Sequence, residues 1–464
     1  VALVKLNKLD EALEDYNKAI AAAPVRPDTY YQRGLLLENT EPDKARADFT
    51  MALSLDRSFA AAYAARARIE TRKGELQKAI DDYSRAIQIE PENTEYLNGR
   101  GALLLKTGNS NGAENDYSRT IAADPLNAEA LLARGGIFAT AGEDGKAGVD
   151  FQQALKTDTR SAGQAYMELG RLREKEGHYK EAVDYFTKAI DLLGKSSSEP
   201  YSQRGLTKQQ LADYRGSELD ISRALQINDI SGTDHYNRGY SRLQMGKYRE
   251  SIDDFTRALT LTPGYQPAFN NRAYAQQLSG NYNEAIEDFS RAIALEPEKG
   301  KPDGGMQYPD EKLSKEAAEY RKYFTYANRG ESYRALADYE KALEDFDKAV
   351  EISPKHPEIY VQRGMALQQA GKMEKALSDF NRAISLDPNR ADAFYARGTW
   401  YEQKGQLQDA RDNYTTAIGI KPDFAQAYFS RALINIQTDR SKDGLEDMKT
   451  SERMGFRKAQ EYLL

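Results

Sequence analysis

Arginine stands directly before a small residue at Arg33, Arg66, Arg100, Arg134, Arg204, Arg238, Arg272, Arg329, Arg363, Arg397 and Arg431. A row of guanidinium groups could hold an acidic ligand, because each presents a planar fork of donors that matches a carboxylate. An aspartate follows most of them at near-constant spacing, as at Asp48, Asp82, Asp116, Asp150, Asp220, Asp254, Asp288, Asp345, Asp379 and Asp447. Where the arginine is replaced, by Leu169, the acid is replaced too, by Tyr185, while Arg397 faces the milder exception Asn413. Joint loss predicts an ion pair between two helices rather than a ligand ladder, since a partly buried guanidinium needs a carboxylate.

Doubled acids such as Asp81–Asp82 and Asp253–Asp254 have the side chains for a metal site or an acid–base pair. Adjacent helical residues point in different directions, however, and the doublets recur periodically, whereas an active site is a single arrangement. His178, His235 and His356 are each isolated, and there is no cysteine to act as nucleophile, redox group or soft metal ligand. With no nucleophile–base pair and no phosphate loop, we expect no catalytic residue, no metal and no cofactor, and read the chain as not an enzyme. The 65 basic and 72 acidic residues give a net charge of −7 without a basic block, which argues against nucleic acid as a partner. No apolar run approaches the roughly 18 residues that would cross a bilayer, so no direct membrane insertion is expected.

These charges ride on a repeat. The residues after the arginines, with Gly170 in the unit that lacks one, recur mostly 34 residues apart over residues 34–432. A period of this size marks a solenoid. About twelve residues after each anchor comes a second small residue, such as Ala79, Ala147 or Ala285, and seven later a third, such as Ala86, Ala154 or Ala292. Between them stands a bulky apolar residue, for example Phe49, Tyr83, Phe151, Phe186, Phe289 or Tyr414. Small residues seven apart share one helical stripe, where a neighbouring helix can approach and the bulky residue fills the space left. Prolines such as Pro91, Pro263 and Pro388 end each second helix, and glycines such as Gly74, Gly246 and Gly405 supply the left-handed cap between paired helices.

Segments such as GKYRESIDDFTRALTLTP and GNYNEAIEDFSRAIALEP closely resemble the tetratricopeptide repeat family over nearly the whole chain. The expected fold is all-α: a right-handed superhelical α-solenoid of about twelve two-helix repeats plus a partial N-terminal unit. The chain opens at Val1, within the second helix of an earlier unit, so we expect the natural N-terminus to lie upstream. Residues 1–297 read as an N-terminal array, 298–322 as an inserted loop and helix extension, and 323–464 as a C-terminal array closed by a capping unit.

In the resembled family, the first-helix positions three before, one after and four after the anchor line a groove for partner peptides. Two adjacent units stand out here, with Tyr236, Asn237 and Tyr240, then Asn270, Asn271, Tyr274 and Gln277. Amides can bond a peptide backbone and tyrosines add contact area, so these seven residues are the predicted binding face. No lysine accompanies the asparagines, which disfavours the subclass that clamps chaperone C-termini. The inserted stretch places Leu313, Ala317 and Tyr320 at helical spacing, a second candidate surface at an edge. The expected function is a scaffold binding other proteins. The alternative is an assembly subunit or homo-oligomer that uses the solenoid's ends and edges. In style the repeats resemble bacterial members of the family, and the lack of cysteine favours an exported or periplasmic location over a cytoplasmic one.

Overall fold

The computed structural model describes residues 9–295 and 311–463, with side chains for 10–295 and 318–463. Among the described residues there are 26 helices and no strand. The chain divides into two compact units, Val1–Ile227 and Asn228–Leu464, a division that does not coincide with the insertion. The first holds the helix Leu9–Ala22 and six helix pairs, and the second holds six pairs and a closing helix, Arg457–Leu463. Each is an α-solenoid of two-helix repeats, in which the first helix of a pair is called A and the second B.

The anchors show why the period is strict. A methyl group on Gly135 would lie 2.5 Å from the Phe151 ring of its own B helix, and one on Gly364 would lie 2.6 Å from Phe380. The aromatic thus rests on bare backbone, and both Phe151 and Phe380 are fully buried. Between A and B, Gly74 takes φ +77° so that its N–H reaches Thr71 O and the N–H of Glu75 reaches Glu70 O, closing the helix end. Ala212, Ala337 and Asp439 hold the same left-handed turn at φ +56°, +61° and +56°, where a side chain is strained.

The ion pairs predicted from co-loss are present in ten repeats. Arg272 Nε and Nη2 donate to Asp288 at 2.6 and 2.8 Å, and Arg100 does the same to Asp116 at 2.8 and 2.7 Å. Arg397, opposite an asparagine, makes a single bond to Asn413 at 2.9 Å. The third donor of the fork does something the sequence reading did not foresee. Nη1 reaches back to the preceding repeat's B helix, from Arg66 to Thr50, Arg100 to Ser84, Arg134 to Ser118 and Arg272 to Thr256. One side chain therefore joins three helices, with the Phe269 ring 5.6 Å below the Arg272 guanidinium. The signal was the serine or threonine that follows the B-helix aromatic, as in Phe255–Thr256 and Tyr83–Ser84.

A buried acid breaks the pattern in the second repeat. Glu70 is 6% exposed, its Oε2 accepts no hydrogen bond, and burial, then the charge of Asp82, push its carboxyl up to about 7. Because the folded-state value lies above the ordinary 4.5, folding takes up a proton between about pH 4.5 and 7, and stability falls as pH rises through that window. Glu70→Gln is expected to stabilise the protein by about 2 kcal/mol at pH 8 and by almost nothing at pH 4.5. Urea midpoints at the two pH values check this, and an equal gain at both would contradict it.

The last repeat keeps the scheme with other residues. Met448 is fully buried where an aromatic stands in most other repeats, Arg431 holds Asp447 at 2.7 Å, and Ala459 of the closing helix packs on Ala432 and Met448.

The loop expected at 298–309 lies outside the described residues. Beyond it one long A helix, Glu311–Ala335, leads into the ninth repeat.

Candidate functional site

Repeated positions are used up by packing, so chemistry particular to this chain must come from positions that vary. On the A helices these are the ones expected to line a groove. The two units singled out in sequence lie on the helices Gly232–Gln244 and Gln266–Leu278.

Their amides turn inward. Asn237, Asn270 and Gln277 are 6%, 5% and 8% exposed. Asn270 accepts from Thr325 Oγ at 2.9 Å, while Gln277 Nε2 donates to Asn328 O at 2.8 Å and to Ser332 Oγ at 3.1 Å. Asn271 donates to the Tyr236 hydroxyl at 2.9 Å. Tyr236 sits between the rings of Phe255 and Tyr265, at 5.6 and 5.0 Å, and burial pushes its hydroxyl far above the usual range. Tyr274 meets Phe324 edge-on at 5.5 Å. Asn270, Asn271 and Gln277 thus join one repeat to the next, as a buried amide needs a partner at that depth. Tyr240 and Tyr274 remain half-buried at the surface.

Of the edge candidates, the side chains of Leu313 and Ala317 lie outside the described residues. Tyr320 is 55% exposed beside Tyr323 and His356, whose rings stack on each other at 4.8 Å. His235 is buried with Nε2 3.1 Å from Asp229 O, and His178 is exposed at a B-helix start. No cluster of three potential metal ligands occurs among the described residues.

A concavity of about 830 Å³ lies elsewhere, between the A helices of repeats four to six and the end of the B helix of repeat five. Repeat five makes room for it. Its A helix, Thr159–Lys175, has 17 residues and its B helix, Tyr179–Leu193, has 15, against 13 and 14 in the second repeat. Leu132, Met167, Leu192 and Leu193 supply apolar lining, and at Gly136 an added methyl group would meet nothing within 4 Å. Arg171 bonds both Glu168 and Glu199, so three charged groups of the lining are paired internally. Burial, partly offset by Arg171, holds the Glu168 carboxyl above its usual range. In the same repeat Leu169 is 2% exposed and Tyr185 packs beside Tyr166 at 5.9 Å, with Lys188 over both rings, an apolar substitute for the arginine–aspartate pair. Sequence reasoning missed this cleft, although the spacing of 35 residues on either side of Gly170 marked the irregular repeat.

Helix pairs at this period, stapled through recurring arginines and bearing an open A-helix face, define a helical-repeat protein. Profiles of the tetratricopeptide repeat match residues 330–398, 267–299, 98–155, 163–192, 235–265 and 391–424, and a TPR repeat profile matches 2–40 and 67–108. The chain belongs to the tetratricopeptide repeat family. A search of curated proteins gave no match. Among solved structures the chain is similar to YrrB, described as a TPR protein with an unusual peptide-binding site, at 23% identity over 45% of this chain and 95% of that one, with a TM-score of 0.33. It is also similar to yeast Tom70, at 14% identity over 94% of each chain and a TM-score of 0.42. The third is the APC/C hetero-tetramer Cut9–Hcn1, at 13% identity over 98% of this chain and 92% of that one, also with a TM-score of 0.42.

Proposed function

We propose that this chain is an interaction scaffold that holds segments of partner proteins against its A helices. One observation carries the reading. Anchor, aromatic and ion pair are nearly invariant from repeat to repeat, while the A-helix face changes with each repeat and in repeats four to six opens into the cleft. Invariance is what stacking demands, and variation on one open face is what distinct partners demand. Membership of the tetratricopeptide repeat family supports a binding role over catalysis. The half-buried Tyr240 and Tyr274 are a second candidate seat, where rigid aromatic area would add to binding at low entropic cost.

A photo-crosslinking residue placed singly at Gln164, Tyr240 or Val149 tests the reading in cells of the source. Gln164 and Tyr240 lie on A helices, and Val149, 67% exposed, lies on a B helix. Protein adducts are expected from the A-helix positions, with few from Val149. An even spread, or adducts from Val149 alone, would exclude binding through the A face, and adducts between copies of the chain would favour the assembly alternative.

A further inference from the structure

We infer that the cleft of repeats four to six takes a short partner segment in which a bulky apolar residue stands next to an acidic one; this rests on the scaffold reading above. Arg171 bonds both Glu168 and Glu199, whereas the guanidinium of Arg160, exposed at the start of the helix Thr159–Lys175, has no partner among the described residues. Gln164 likewise makes no side-chain hydrogen bond among them. Asp158, the nearest acid in sequence, is engaged by the backbone N–H groups of residues 160 and 161 and by the Ser161 hydroxyl.

Two acids and two arginines make the lining neutral overall, but both acids are held by Arg171, so the charged group left to meet a ligand is the cation Arg160. A carboxylate is its complement, and the guanidinium fork binds that group through two parallel hydrogen bonds. Beside it, Leu132, Met167 and Leu192 offer apolar surface, and the missing side chain at Gly136 leaves a recess that a leucine- or phenylalanine-sized group can enter. Burying that group supplies affinity, while the acid at Arg160 sets its direction. A basic segment would leave Arg160 facing a like charge, and a purely apolar one would cover a charge without pairing it.

Random peptides displayed on phage, selected on the full chain, provide the test. Enriched sequences are synthesised with fluorescein and titrated by anisotropy. They are expected to carry Asp or Glu beside a bulky apolar residue, and to bind about tenfold or more weakly to Arg160→Glu and to Gly136→Trp. Selection on Arg160→Glu should instead enrich Lys or Arg. Gly136→Trp places its ring in open space, and Arg160→Glu puts an acid in a first helical turn, where the helix dipole favours it; thermal melts confirm that both variants fold. Peptides without an acid, peptides indifferent to both substitutions, or no enrichment at all would overturn the inference. If binding is lost only on Tyr240→Ala or Tyr274→Ala, the cleft assignment falls while the scaffold reading stands.

Discussion

Asp116→Ala is expected to cost about 3–5 kcal/mol, the largest loss of any single substitution considered for this chain. The Asp116 side chain is 1% exposed and accepts two hydrogen bonds from Arg100, which is itself only 20% exposed. Removing the acid strands a half-buried guanidinium that keeps one neutral partner, the Ser84 hydroxyl at 3.1 Å. Deleting one member of a buried pair costs more than the pair contributes, so a second substitution should recover much of the loss. Repeat five supplies the design, since it packs Leu169 and Tyr185 at these positions. Arg100→Leu with Asp116→Tyr is therefore expected to regain more than half of what Asp116→Ala loses. Urea unfolding of the three variants, with amide exchange to locate the weakened repeats, decides the matter; a loss under 0.5 kcal/mol for Asp116→Ala would show that the pair is idle.

Gly135→Val is the second large effect, at about 3 kcal/mol. Even the first carbon of the new side chain would fall 2.5 Å from the Phe151 ring, and a branched one cannot rotate clear of it. Gly135→Ala is expected to cost under about 1 kcal/mol, because alanine's better helix propensity offsets part of the clash. Alanine already serves at the equivalent positions Ala67, Ala273 and Ala432. The sharp step between alanine and valine is the diagnostic. Pairing Gly135→Val with Phe151→Leu should return part of the stability if the aromatic is the obstacle, and no recovery in calorimetry would place the strain elsewhere.

What could be read from residues alone follows from these same contacts. A glycine that must lie under a phenylalanine cannot drift, so Gly135 and Phe151 advertise the fold through spacing and type. The co-loss at Leu169 and Tyr185 likewise exposed the ion pairs. The candidate binding face was less legible because the contacts of its residues are remote: Asn270 meets Thr325, and Gln277 meets Ser332, each 55 residues away and across the insertion. An asparagine on a helix face looks the same in sequence whether it awaits a peptide or is held by the next repeat. The cleft was hidden for a different reason, since Gly136, Met167 and Leu192 come from three helices and acquire meaning only when the long helices of repeat five set them around one space.

The arginine that reaches both its own aspartate and the hydroxyl behind it makes the seams between repeats interchangeable. Wherever one repeat ends in an aromatic followed by serine or threonine, and the next begins with arginine, the joint is chemically the same, as at Arg66–Thr50, Arg100–Ser84 and Arg134–Ser118. A gene encoding such a chain can gain or shed whole repeats by unequal recombination without inventing a new junction. Arg33, Arg363 and Arg397 reach back to Asn17, Asp347 and Asn381 in place of a hydroxyl, but the repeat with Leu169 lacks the arginine altogether, so it is the segment that lineages would be least free to shuffle.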